Sequence, residues 1–161
     1  MIIGKTPAIV RVTTVKPGLA ADILAAVATL HRGERDQARD ELEALWARVD
    51  PDDQFHRCVV AHYLADAQGD PAEELRFDQL ALAAARRAAP ADFDGRFPGV
   101  TLASFLPSLH LNLAADYERV GELTLARMHA AEAAESSRAL PASPLGDLTR
   151  DAIARITRRL G

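Results

Sequence analysis

The sequence of 161 residues contains a single cysteine, Cys58, and aromatic residues make up only 5% of it. One thiol excludes an intramolecular disulfide and a metal site built from several thiolates, and it is typical of a protein from a reducing compartment. No apolar run reaches the 18 or so residues of a membrane-spanning helix, and no charged stretch followed by an apolar signal core opens the chain. We therefore predict a cytoplasmic protein without a membrane span.

An excess of positive charge is also missing. The chain has 19 basic and 23 acidic residues, which gives a formal net charge of −4 at pH 7. A chain with this balance has no overall positive field to hold a polyanion, so we predict no nucleic-acid partner. Among the basic residues 17 are arginines and two are lysines, which we interpret as the codon bias of a GC-rich genome.

The common signatures of catalysis and cofactor binding are absent from the sequence. There is no glycine-rich phosphate loop, no Gly-x-Ser-x-Gly elbow, no dinucleotide fingerprint and no His-Glu-x-x-His motif. No pair of carboxylates has the spacing of a two-metal site. These absences predict no cofactor and no resident metal, and they argue against an enzyme of a known type.

Alanine is what the chain has in abundance. It supplies 32 positions, and 48% of all residues are hydrophobic. Alanine favours helices, and its small side chain lets helices pack closely. A chain of this length suits one domain that buries roughly two thirds of its unfolded surface. The composition therefore predicts a single all-α domain, which we place at residues 19–161.

The clearest helical hairpin is predicted at about residues 104–140. Apolar side chains recur every three or four residues from Leu109 to Val120, as one face of a helix requires. Gly121 follows as a turn, and the next helix presents small residues such as Ala126 on its inner face. Two helices that meet through small residues can lie close together.

Two further hairpins and a closing helix complete the prediction of seven helices. Hairpin one covers about residues 19–50 and turns at Gly33, and its step to Ala38 equals the step from Gly121 to Ala126. Hairpin two covers about 53–89 and turns at Gly69, with one extra residue in its turn. A capping helix is predicted at about 144–160. Its inward-facing residues are predicted to be Leu145, Leu148, Ile153, Ile156 and Leu160.

Two segments fall outside this pattern. Residues 90–103 are rich in proline, glycine and aspartate and are predicted to form a loop, pinned by Phe93 and Phe97. Residues 1–18 contain the β-branched run Ala8 to Val15 followed by Pro17, which predicts an extended arm or tail. Such an arm either has marginal order or docks on a groove or on a second subunit.

The third hairpin resembles a tetratricopeptide repeat. The residues that carry the resemblance are Leu113-Ala114, Tyr117, Gly121, Ala126 and Ala133, whereas His110 replaces the family's first aromatic and Pro141 comes late. The chain also resembles small stand-alone repeat proteins of high-GC bacteria in three segments: His56 to Asp66, Glu74 to Asp78 and Phe105 to Leu113. Membership of that group implies no particular activity. The resemblance implies antiparallel hairpins stacked as a short right-handed superhelix with a C-terminal capping helix.

The function that this resemblance implies is the binding of a peptide or a partner protein in a concave groove. In the family the first helix of each hairpin lines that groove. Matching the hairpins at their turn glycines assigns the predicted partner-binding residues: His56, Val59, Tyr63 and Asp66 of hairpin two, and Leu111, Asn112, Ala115 and Arg119 of hairpin three. Apolar and aromatic side chains with a few directional polar groups suit an extended or helical peptide.

Two alternatives stay open at the level of the sequence. His62 and Asp66 are four residues apart and share one face of their helix, so a small enzyme or ligand-binding bundle could use His62, Asp66 and His110. The other alternative is a homodimer in which the apolar first helix and the arm form the interface. Cys58 has no electropositive motif beside it and is predicted to be a buried, unreactive side chain.

Overall fold

The computed structural model describes residues 18–94, 96 and 100–161. Helices hold 81% of these residues, and none of them forms a strand, so the predicted all-α class is confirmed. Eight α-helices are described: α1 Leu19–His31, α2 Arg35–Arg48, α3 Gln54–Asp66, α4 Pro71–Arg87, α5 Pro90–Phe93, α6 Leu102–Arg119, α7 Leu123–Ser136 and α8 Pro144–Leu160. The prediction of seven helices misses α5, a single turn inside the segment expected to be a loop.

Helices that follow one another along the chain pack together as pairs. The most extensive contacts join α3 with α4 and α6 with α7, and α1 packs against α2. Between the pairs, α2 contacts α3 and α4 contacts α6, while α8 lies against both α7 and α6. No described helix is long and apolar enough to cross a bilayer.

The turns of the first and third pairs have the same backbone geometry. Gly33 and Gly121 both have positive φ, 85° and 84°, which suits glycine because it has no Cβ. At each turn the amide after the glycine donates to the carbonyl five residues back, Glu34 to Thr29 (3.3 Å) and Glu122 to Tyr117 (2.8 Å). This is the Schellman arrangement that ends many helices, and it occurs here twice with the same spacing.

The turn of the second pair is built differently. Three residues separate the helices of the first and third pairs, at 32–34 and 120–122, whereas four residues, 67–70, separate α3 from α4. Gly69 does not have positive φ. Instead the Asp70 side chain accepts a hydrogen bond from the Ala72 amide (3.1 Å), and Pro71 occupies the first position of α4. The predicted extra residue in this turn is confirmed.

Buried apolar side chains form two clusters. The larger one runs from α1 to α6 and includes Phe55, Leu64 and Phe77. Trp46 lies at its edge, partly buried, with the Arg57 guanidinium 3.7 Å from the centre of its ring. The smaller cluster joins α6, α7 and α8 through Ala114, Ala126, Ala130, Ile156 and Leu160.

The face of α8 that packs inward is narrower than predicted. Ile153, Ile156 and Leu160 are buried, but Leu145 and Leu148 are 75% and 64% exposed, so the prediction that they face inward is wrong. Leu148 precedes Ile153 by five residues, which places it about 140° away around the helix. Leu145 lies in the first turn of α8, where it lines a cavity instead of the core.

Two predictions concern residues that the structure only partly covers. Phe93 is fully buried, with its ring centre 4.8 Å from that of Phe55. Its expected companion Phe97 and the arm of residues 1–17 lie outside the described residues.

Candidate binding cleft

Two neighbouring cavities lie between the helices. The larger has a volume of about 310 Å³ and lies between α3, the beginning of α6 and the beginning of α8. The smaller, about 220 Å³, lies between α1, α3 and α6. Tyr63, Val100 and Phe105 line both cavities. We call the two cavities together the cleft.

The two parts of the cleft differ in chemistry. Four aliphatic side chains complete the lining of the smaller cavity: Ile23, Leu24, Val27 and Val59. The larger cavity has hydroxyl groups from Ser104, Ser108, Ser143 and Thr149, together with the imidazole of His62. One part can therefore hold an apolar side chain while the other offers hydrogen-bond donors and acceptors.

Exposed apolar side chains stand in both parts of the cleft. Leu24 is 55% exposed in the smaller cavity, and Leu145 is 75% exposed in the larger one. Single exposed leucines are common on protein surfaces, but apolar side chains that border a concave site often mark a place where another chain binds. Leu24 and Leu145 therefore add exposed apolar surface to the cleft.

A group of polar side chains lies behind the cleft, where α3, α4 and α6 meet. Asn112 Nδ2 donates to Asp66 Oδ1 (3.5 Å) and to Asp78 Oδ1 (3.4 Å), and His62 Nδ1 lies 3.7 Å from Asp78 Oδ1. Asp116 is the neighbour of Asp78 in this group, and Asp78 contributes to the raised pKa of Asp116. We call these five residues the carboxylate cluster. His62 belongs both to it and to the cleft.

Burial and mutual repulsion govern the charges in this cluster. Burial, followed by the neighbouring Asp78, raises the pKa of Asp116 to about 8. Burial also raises the pKa of Asp66, with the charge of Asp78 adding to it and His62 opposing it. Burial alone would favour the neutral ring of His62, but Asp78 and Asp66 outweigh it and raise the His62 pKa. At neutral pH a proton on Asp116 can therefore bridge to Asp78.

Arg119 lies on the solvent-exposed side of the carboxylate cluster. Its guanidinium forms a two-pronged ion pair with Glu74 of α4, and its Nη2 lies 3.6 Å from Asp116 Oδ1. The predicted partner-binding residue Arg119 is thus already engaged with its own chain. A side chain that is 44% exposed can still contact a partner from its open side.

The remaining predicted partner-binding residues lie in several different places. Val59 and Tyr63 line the cleft, whereas Leu111 and Ala115 are half-buried against the smaller apolar cluster. His56 is only 1% exposed: its Nδ1 lies 2.6 Å from Asp53 Oδ2, and its amide donates to the same carboxyl group at the start of α3. The predicted set stays a prediction, with Val59 and Tyr63 in the cleft and Asp66, Asn112 and Arg119 beside it.

Asp53 and His56 support each other at the beginning of α3. Burial by itself would raise the pKa of Asp53, but the hydrogen bonds from His56 outweigh it and lower that pKa. An aspartate in this position caps the free amides of the first helical turn. The pair therefore has a structural explanation that needs no ligand.

His110 does not join His62 and Asp66. Its Nδ1 lies 2.9 Å from Nδ1 of His129, so one ring donates a hydrogen bond and the other accepts it. Tyr117 stacks on His129 with ring centres 5.4 Å apart. Burial lowers the pKa of His110, and burial together with the charge of His110 lowers that of His129 to about 4. The predicted trio His62, Asp66 and His110 is thus split between two polar groups.

Sequence reasoning missed Asp78 and Asp116, the two most buried members of the carboxylate cluster. Both interrupt an apolar stripe: Asp78 is one helical turn before Ala81 and Leu82, and Asp116 follows Leu113 by three residues. An acidic residue on a buried face is rarely left without a polar partner. That signal could have identified both residues, although it would not have indicated that they meet.

A metal site and a reactive thiol each have their own structural requirements. Within the described residues, no three His, Cys, Asp or Glu side chains are placed to hold a metal ion. Cys58 is fully buried, as predicted, and burial raises the pKa of its thiol. No protein-family model matches the sequence, and no curated protein matches it either.

Proposed function

We propose that this chain is a helical interaction module that binds an extended peptide segment in the cleft. In this proposal the three helix pairs stack as a short right-handed superhelix of the tetratricopeptide type, and α8 caps it. The observation that carries the proposal is the lining of the cleft. Its walls come from α1, α3 and α6, the first helix of each pair, and from α8.

The cleft favours a particular kind of peptide. The smaller cavity suits an aliphatic side chain, since its lining is aliphatic apart from two aromatic rings. The hydroxyl groups and His62 of the larger cavity suit the backbone and polar side chains of the same segment. The whole chain has a formal charge of −4 and residues 1–17 carry +3, so residues 18–161 carry −7, which favours a basic ligand over an acidic one.

A displayed library of random peptides, selected on the purified full-length protein, tests the proposal. Peptides that are enriched should contain an aliphatic residue next to a basic or neutral polar one. Their affinity, measured by fluorescence anisotropy, should fall about fivefold or more with Tyr63→Ala and with Leu24→Gln, because each change removes apolar contact in the cleft. Arg119→Ala should also weaken binding if the peptide extends along α6.

Met128→Ala provides the matched control, because Met128 is a 48% exposed apolar side chain on α7 outside both cavities. This variant should bind the selected peptides as the wild type does. Thermal melting of each variant separates lost contact from lost folding. The proposal fails if no peptide is enriched, or if the enriched peptides bind independently of both Tyr63 and Leu24.

A second candidate function, a small-ligand site, rests on one observation. His62 lines a cavity of about 310 Å³ and is backed by Asp78, an arrangement that can hold or move a proton. A screen of small metabolites by thermal shift would test it. A stabilising compound whose effect is lost in His62→Gln, with peptide binding unchanged, would favour this function over the peptide module.

A further inference from the structure

We propose that the cleft is occupied by the N-terminal arm of the same chain, with Val10 and Val12 of the segment 8–15 entering the smaller cavity. The inference rests on the proposed peptide-binding function and names the ligand of that site. The arm would occupy the cleft in the free protein, and a peptide from another molecule would have to displace it. Three observations support it: where the arm joins the fold, what its sequence contains, and what charge it carries.

The arm joins the fold beside the cleft. Gly18 immediately precedes α1, and its φ of 94° allows a sharp change of chain direction at that point. Ile23, the first cleft residue of α1, lies about 8 Å further along the helix axis. Six residues of extended chain from Gly18 back to Val12 cover about 20 Å, so Val12 can reach every wall of the smaller cavity.

The segment is also long enough for the cleft. Eight extended residues span about 26 Å, and the two cavities adjoin at Tyr63, Val100 and Phe105. The arm would then run from α1, where it is attached, across the smaller cavity toward the larger one.

The sequence of the arm provides the side chains that the cleft lacks. In an extended segment Val10 and Val12 point to the same side, and Arg11 points to the other. The two valines can therefore fill the aliphatic cavity while Arg11 faces outward or toward Asp66. Burying two such side chains would also cover Leu24, which is otherwise more than half exposed.

Charge complementarity favours the same occupant. Residues 1–17 contain three basic residues, Lys5, Arg11 and Lys16, and no acidic one. Because the whole chain has a formal charge of −4, residues 18–161 carry −7. Both lysines of the protein lie in this one segment. A basic arm attached to an acidic body is attracted to that body as a whole.

Methyl-labelled full-length protein tests the inference directly by NMR. We expect nuclear Overhauser contacts from the methyl groups of Val10 and Val12 to those of Leu24, Val27 and Val59. In Val10→Asp/Val12→Asp these contacts should disappear, since two carboxylates cannot enter an aliphatic cavity. In the matched control Ile9→Asp/Thr13→Asp, which adds the same number of acidic residues on the opposite side of the segment, contacts from Val10 and Val12 should persist.

The same experiment decides whether the arm belongs to the same molecule. In a mixture of labelled and unlabelled protein, contacts within one chain survive only inside labelled molecules, and light scattering should give the mass of a monomer. Contacts between labelled and unlabelled chains would overturn the inference in favour of a second copy as the occupant. Absence of the contacts in the wild type would overturn it altogether.

A binding measurement separates this inference from the proposed function. The probe is a synthetic peptide with the sequence of residues 8–15, titrated onto full-length protein. Val10→Asp/Val12→Asp should bind it about tenfold more tightly than the wild type, because an attached arm competes at an effective concentration in the millimolar range. If the wild type and Val10→Asp/Val12→Asp bind the peptide equally, and Tyr63→Ala abolishes this binding, occupancy of the cleft by the arm is overturned. The proposed peptide-binding function would still hold. Wild-type methyl contacts without any binding of library peptides would overturn the peptide module alone.

Discussion

Asp116 is a carboxyl group that the fold keeps almost out of water, at 2% exposure, beside a second buried carboxyl group. Its pKa is about 8 in the folded chain against an ordinary value of 3.8. Between these pH values the folded chain holds a proton that the unfolded chain releases. This group therefore makes the protein less stable as the pH rises from about 4 to 8.

The variant Asp116→Asn should remove this dependence. An asparagine has the shape of the protonated acid and can donate a hydrogen bond to Asp78 at any pH. At pH 8 we expect the variant to be more stable than the wild type by about 1 to 3 kcal/mol, with a smaller difference at pH 5. Urea denaturation at both pH values measures it.

Asp22→Asn serves as the control for this prediction. Asp22 pairs with Arg48 where both side chains are about half exposed, so its loss should change stability by less than about 1 kcal/mol at either pH. A wild type that is at least as stable at pH 8 as the Asp116→Asn variant would show that the carboxyl groups do not share a proton.

The pair His110 and His129 has the opposite dependence on pH. His129 has a pKa of about 4 in the folded chain and 6.5 in the ordinary state. Between these values the unfolded chain binds a proton that the folded chain excludes, so stability falls as the pH is lowered from 6.5 toward 4. The slope for one such group is at most about 1.4 kcal/mol per pH unit.

In the variant His129→Asn the slope between pH 6.5 and 4 should become shallower. Asparagine can still form a hydrogen bond with His110, but it does not titrate in this range. Free energies of unfolding at several pH values give the slope. His31→Asn, at an exposed position on α1, should keep the slope of the wild type. If both variants retain it, other groups cause the loss of stability in acid.

Among the elements, the turns of the helix pairs show how one residue sets a local structure. Gly121 has a φ of 84°, whereas Gly69 lies in a turn of ordinary φ, and a Cβ on either would meet no other atom. Space is therefore equal at the two sites, and only the backbone angle differs. Alanine is strained at positive φ by about 1 to 2 kcal/mol.

We expect Gly121→Ala to destabilise the protein by about 1 to 2 kcal/mol and Gly69→Ala to be neutral or slightly stabilising. Gly33→Ala should behave like Gly121→Ala, because the two turns share their hydrogen bonds. Chemical denaturation of the three variants provides the comparison. Equal losses at all three sites would mean that the backbone angle is not what the glycines contribute.

For the whole molecule, the division into two apolar clusters has an energetic consequence. Ile156 belongs to the smaller cluster, which joins α8 to α6 and α7. The two clusters have no buried residue in common, so a defect in the smaller cluster should affect the larger one less. Ile156→Ala should cost about 2 to 4 kcal/mol and loosen α7 and α8 more than α3 and α4.

Hydrogen exchange of backbone amides, followed along the chain, measures this loss of protection. Leu148→Ala is the control on the same helix, since Leu148 is largely exposed, and it should leave exchange nearly unchanged. Uniform acceleration along all helices in Ile156→Ala would instead indicate that the two clusters unfold as one unit.

Much of the fold could be predicted because it depends on local rules. The turn glycines, the Asp70-Pro71 helix start and the extra residue of the second turn follow from backbone geometry and capping alone. Leu148 could have been recognised by the same kind of rule, because its spacing from Ile153 places it off the inner face of α8. Leu145 shares the side of Ile156, so its exposure depends on packing between helices and could not be predicted from spacing.

The site was predictable only in part. The family resemblance, with the hairpins matched at their turn glycines, implied that Val59, Tyr63 and Asp66 line a groove, and Val59 and Tyr63 line the cleft. The meeting of Asp66, Asp78 and Asp116 depends on contacts between three different helices, which no spacing within one helix encodes. His56 hydrogen-bonds Asp53 at the start of α3, a role that its position in the hairpin pattern does not indicate.

Trp46 lies at the edge of the larger cluster, with Arg57 over its ring, and it is the only tryptophan in the chain. Tryptophan fluorescence therefore reports on the α2, α3 and α4 side of the molecule and is blind to α7 and α8. Circular dichroism weights every helix alike. If the two clusters unfold separately during heating, the melting midpoint from Trp46 emission will differ from the midpoint from ellipticity. Comparing the two melting curves therefore tests whether the molecule unfolds cooperatively.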